Sequence, residues 1–69
     1  MKKERIFIKT KLAEHELTQV WLIQKLEERG IITDKTETCS VLKGTRRGKK
    51  AETIICNAVE ILKKYKNNL

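Results

Sequence analysis

Proline is absent from this 69-residue chain, and glycine occurs only at Gly30, Gly44 and Gly48. Between the glycines the chain is rich in Lys, Glu, Leu and Ile, which favour helix, so the breaks are expected to fall where the glycines do. The sequence therefore reads as all-α. No repeat, low-complexity tract or linker divides it, and residues 1–69 are expected to form one small domain around one modest core. A single core of this size retains only about 3–5 kcal/mol of stability, so association of subunits would be a natural supplement.

Hydrophobic spacing places the elements. A first helix is expected over about Lys3–Glu14, with Ile8 and Leu12 one turn apart and Ile6, Phe7 and Ala13 widening the apolar stripe. Thr18 can cap a second helix running to about Glu28, buried through Leu22, Ile23 and Leu26. Trp21 lies beside that face, either as a packing residue or as a contact for a partner. Gly30 suits the end of this helix, and Ile31 and Ile32 are expected to fold back on the core. Asp34-Lys35-Thr36-Glu37 has the pattern of a capping box and starts a short third helix over about 35–43, which stops at Gly44. With Val41, Leu42 and Thr38 turned inward, its outward face would carry Lys35, Thr36, Glu37 and Ser40. The last helix, about 50–66, sets Ile55, Ala58, Val59 and Leu62 on one stripe. Ile54, Ile61 and Tyr65 fall toward a flank that is either a self-association surface or ordinary half-buried packing.

Charge limits the partners. Sixteen Lys and Arg against nine Asp and Glu leave a net charge of +7, which favours a polyanion such as nucleic acid or an anionic membrane surface. The longest apolar runs, such as Val20–Ile23, are far below the ~20 residues needed to span a bilayer, and the start lacks the apolar stretch of a signal peptide. A cytoplasmic protein without a membrane partner is expected. The basic residues concentrate at Lys43, Arg46, Arg47, Lys49 and Lys50, with no acid between them. Such a segment must face water or a polyanion.

Cys39, Cys56 and the single His15 cannot assemble a zinc framework, so no metal or cofactor is expected, and both thiols read as reduced, small apolar filler. Catalysis is not expected either. His15 is flanked by Glu14 and Glu16, but adjacent helical residues do not converge on one site, and no nucleophile sits in a motif with a base.

Taken in order, Leu17-Thr18-Gln19 opening the second helix, Leu22 and Leu26 in its core, Val41 in the third, Gly44 ending it and the Arg/Lys segment beyond resemble the Cro/C1-type, XRE-like helix-turn-helix family. The resemblance covers about Ile8–Leu62. It implies a compact lambda-repressor-like domain of four to five helices, with the third lying in the major groove of double-stranded DNA. The link Glu27–Thr33 is longer than is usual in the family, and Ile23 stands where the family has a small Ala. By matching positions, Lys35, Thr36, Glu37 and Ser40 would face the bases: Lys35 toward guanine, Thr36 toward a thymine methyl and Glu37 toward cytosine, unless capping occupies it. Gln19, Lys43, Thr45, Arg46, Arg47, Lys49 and Lys50 would contact phosphates.

The resemblance implies a dimeric, sequence-specific transcriptional regulator, a repressor of small phage-like type, on a pseudo-palindromic operator with half-sites about 34 Å apart. The alternative belongs to another class: an antitoxin or an inhibitor of a nucleic-acid enzyme that uses the same fold to bind protein or RNA. An exposed Trp21 and an apolar flank on the last helix would favour it.

Overall fold

A computed structural model describes residues 2–65. They form four helices and, among the described residues, no strand: α1 Lys2–Glu14, α2 Gln19–Glu28, α3 Lys35–Lys43 and α4 Lys49–Lys64. The chain is all-α, as expected. Lys66, expected to close the last helix, lies outside the described residues. No described helix is long and apolar enough to cross a membrane.

Local chemistry sets the helix ends. The Thr18 hydroxyl accepts from the Trp21 amide at 3.1 Å at the start of α2, and Asp34 Oδ1 accepts from the Glu37 amide at 2.7 Å at the start of α3. Each bond satisfies an amide that the first turn leaves without a backbone partner. At the other end of α3, Gly44 takes φ +85°, with its amide on Val41 O and the Thr45 amide on Ser40 O. α1 closes in the same way but with Glu16 at φ 56°, and the Leu17 amide reaches Leu12 O at 2.8 Å.

The core lies around α4. Ala51, Ile54, Ile55, Ala58, Ile61 and Leu62 are all buried against Ile8 and Leu12 of α1, Leu22 and Leu26 of α2, and Val41 and Leu42 of α3. α4 packs on each of the other three helices. Its buried stripe must therefore be wider than one neighbour would require, and this corrects the expected self-association flank. Ile54 is 0% and Ile61 9% exposed, so both belong to the core. Tyr65 is half-buried, with its ring 5.5 Å from Trp21 in an edge-on arrangement and 4.9 Å from His15.

Four smaller corrections concern apolar residues beside the core. Ile6 is 53% and Ile32 64% exposed, and Ala13 and Cys56 are exposed. Ile6 lies half a turn from Ile8, and Cys56 one position past the α4 stripe, too far round each helix to reach the core. In the extended link after α2, Ile31 packs inward and its neighbour Ile32 outward. An ion pair absent from the sequence reading ties α2 to α4: Arg29 Nη1 reaches Glu60 Oε1 at 2.9 Å and Asn57 Oδ1 at 3.2 Å.

Candidate functional site

α3 is nine residues long and buries Thr38, Val41 and Leu42. A helical repeat of 3.6 residues then turns Thr36, Ser40 and Lys43 away from the core, with Lys35 and Cys39 beside them on one flank and Glu37 on the other. Lys35, Thr36 and Lys43 are exposed, while Cys39 and Ser40 are half-buried. Cys39 was expected to be filler, yet it stands midway between Lys35 and Lys43 at i+4 steps. That spacing was the available signal that the three share a side.

Glu37 departs from the expected base-facing set. Its side chain is only 13% exposed, and its carboxylate lies 3.1 Å from Lys50 Nζ through Oε1 and 3.6 Å from Arg46 Nη1 through Oε2. The Thr33 hydroxyl donates to Oε1 at 2.8 Å. With the Thr33 proton on the carboxylate, the fully buried Thr38 hydroxyl 3.3 Å away is left to donate to Thr33. The chain Thr38, Thr33, Glu37 thus satisfies a polar group in the core and ends on an anion. The Thr33 bond, then the Lys50 bond, with the charges of Lys50 and Arg46 adding, hold the Glu37 carboxyl below its ordinary 4.5. Of the expected capping box only the Asp34 half forms, because Thr33 and the two cations occupy the Glu37 side chain.

This arrangement braces the basic segment. Arg46 and Lys50 are tethered to α3 through one carboxylate, while Thr45 returns to the end of α3 through its amide and its hydroxyl, both on Ser40 O. Lys43, Thr45, Arg46, Arg47, Lys49 and Lys50 are all exposed. Gly48, at φ +119° and ψ −177°, begins α4 without a side-chain cap, a backbone region that only glycine adopts readily. Gln19 is the first residue of α2 and is half-buried, so it stands at the positive end of that helix dipole.

The face is therefore a short helix with short polar residues outward, the one acid within the helix drawn into ion pairs, followed by a braced cationic loop. Two arginines of that loop also border a cleft of about 350 Å3 that Lys2 and Arg5 of α1 line as well. Neither Lys2 nor Arg5 belonged to the expected site, because nothing local to α1 signals where its first turns dock. No group of three or more His, Cys, Asp and Glu among the described residues could hold a metal ion. A search of family models, of curated proteins and of solved structures found no match to this chain.

Proposed function

We propose that the chain is a sequence-specific DNA-binding regulator, a repressor, with α2 and α3 acting as a helix-turn-helix of the Cro/C1 type. The observation that carries this reading is the outward side of α3. Thr36 and Lys43 are exposed with the half-buried Ser40 between them, and Glu37, the one acid of the helix, is drawn aside by Lys50 and Arg46. A face so arranged can enter a major groove with Glu37 turned aside and with Asp34, at the start of the helix, engaged in capping the Glu37 amide. Lys35, Thr36 and Ser40 are the proposed base-reading residues, Cys39 lies among them, and Glu37 acts as the brace of the loop. Gln19, Lys43, Thr45, Arg46, Arg47, Lys49 and Lys50 are the proposed phosphate contacts. The proposal has no catalytic step and no cofactor. Occupying a promoter needs no further module, which is why repression is the simplest outcome.

Two subunits on a pseudo-palindromic site are part of the proposal. Core packing consumes Ile54 and Ile61, so the surface that pairs the subunits lies elsewhere. The alternative, a protein- or RNA-binding module, loses the features that would favour it, since Trp21 is half-buried and the α4 flank is in the core.

Selection of bound duplexes from a random library at physiological salt tests the proposal. An enriched inverted repeat, its halves about one DNA turn apart, is the expected result. If the selected pool has no sequence preference, base reading by α3 is wrong, and the charge attracts polyanions without discrimination.

A further inference from the structure

Four cations from distant parts of the chain converge on one cleft. Lys2 and Arg5 line it from α1 and Arg46 and Arg47 from the loop after α3, beside the two glycines of that loop and an apolar patch from α3 and α4. One acid, Glu52, stands on the rim, leaving an excess of positive charge. Among the described residues Lys2, Arg5 and Arg47 have no ion-pair partner, while Arg46 shares Glu37 with Lys50.

Arg5 reaches across to the turn that ends α3. Its guanidinium lies so close over Gly44 that a Cβ built there would run into it. Gly44 therefore does two things: it takes the left-handed conformation that ends α3, and it leaves the space in which the guanidinium sits. That seat is at the negative end of the α3 dipole, which favours a cation. It holds the planar group without using its N–H donors in any hydrogen bond to a described residue. A guanidinium so placed is suited to two oxygens of one phosphate.

We propose that this cleft takes a backbone phosphate of the bound duplex, making Lys2 and Arg5 of α1 phosphate contacts in addition to those of the loop. The proposal rests on the DNA-binding function above and extends its footprint. The shared residues Arg46 and Arg47 make the cleft continuous with the basic loop, so a strand gripped by the loop passes the cleft at the C-terminal end of α3. Contacts of this kind add affinity without reading sequence. They also fix register, because a phosphate seated at one end of α3 sets how far that helix slides along the groove.

The test compares Lys2→Gln/Arg5→Gln with the parent chain and with Lys63→Gln, which removes a cation at the far end of α4. Binding to a selected duplex and to an unrelated duplex is measured across a salt series, with the thermal unfolding of each variant recorded. The double variant is expected to bind both duplexes about tenfold more weakly than the control and by the same factor. Its slope of log affinity against log salt should be shallower by about 0.9, the value of one phosphate contact. Single Arg5→Lys should recover the slope but only part of the affinity, since it keeps the charge and loses the two-pronged geometry. Affinity and slope equal to those of Lys63→Gln would overturn the proposal while leaving the function standing. A parent chain that binds neither duplex would overturn the function and this proposal with it. Titration with inorganic phosphate, followed at the Gly48 and Lys49 amides by NMR, separates the remaining source. Saturable shifts there, together with unchanged duplex binding by the double variant, would assign the cleft to a free anion and overturn the proposal.

Discussion

Cys39 and Cys56 make a natural pair of reporters, because each thiol is free and they lie on different helices with different surroundings. Cys39 is half-buried among Lys35, Thr36 and Lys43 on α3, whereas Cys56 is exposed on α4 outside the buried stripe. If α3 lies in a groove, duplex binding should slow alkylation of Cys39 at least several-fold and leave Cys56 unchanged, as read by mass spectrometry of the modified peptides. Equal protection of both thiols, or of neither, would place the bound duplex elsewhere on the molecule. At this scale the sequence conveyed residue type well and surroundings poorly. Glu37 is the clearest case. Its amide bond to Asp34 followed from spacing alone, but its carboxylate is governed by Arg46, brought back by the turn after α3, and by Lys50, which comes within reach only when α4 packs on α3.

Three helices end in the left-handed conformation, through glycine after α2 and α3 but through Glu16 after α1, and opposite substitutions at Glu16 and Gly44 should have opposite effects. Glu16 stands at φ 56° after α1, and Gly44 at φ 85° after α3. A residue with a Cβ costs about 1–2 kcal/mol in that conformation, whereas a glycine gives back part of any gain through the freer unfolded chain. Glu16→Gly is therefore expected to raise stability by up to about 1 kcal/mol in urea unfolding. Gly44→Ala should lower it by about 1–2 kcal/mol from the backbone, with little added by Arg5, whose guanidinium is the end of a flexible side chain and can swing aside. A neutral Gly44→Ala would show that this turn relaxes. The element scale was the most legible: Thr18 and Asp34 as caps, Gly44 as stop, and the bounds of α3 all follow from interactions reaching no more than about six residues along the chain.

Across the whole molecule, α4 is the shared core element, and its surface ion pairs join it to the end of α2 through Glu60 and to α3 through Lys50. Glu37 is held below its ordinary 4.5 by the Thr33 bond first and by Lys50 next, and Glu60 likewise by the Arg29 bond first, with Lys64 adding. Both carboxylates bind a proton more weakly in the folded chain than in the unfolded one. Their contribution is thus complete above the unfolded value and is lost as pH falls from about 4.5 through the lower folded values. The urea midpoint of the parent chain should fall more steeply below about pH 4.5 than that of Glu37→Gln/Glu60→Gln, which starts lower at neutral pH. Parallel profiles for the two chains would mean that these pairs do not bind protons differently on folding.

What the sequence determined by itself is the set of helices, their caps, most of the core and the location of the basic segment. Each depends on neighbours close in the chain or on one period of apolar residues. Leu22, Leu26, Val41, Ile55, Ala58 and Leu62 were legible as core for that reason, and all are buried. The tertiary structure alone decided how much of α4 is covered. Three helices around it bury Ile54 and Ile61, and no period along one helix states how many neighbours it will have. It also decided which cations share a site. Lys2 and Arg5 meet Arg46 and Arg47 because α1 docks beside the start of α4 and the end of α3. That proximity is set by packing of apolar faces elsewhere on the same helices, so the charged residues it brings together leave no mark in the local sequence.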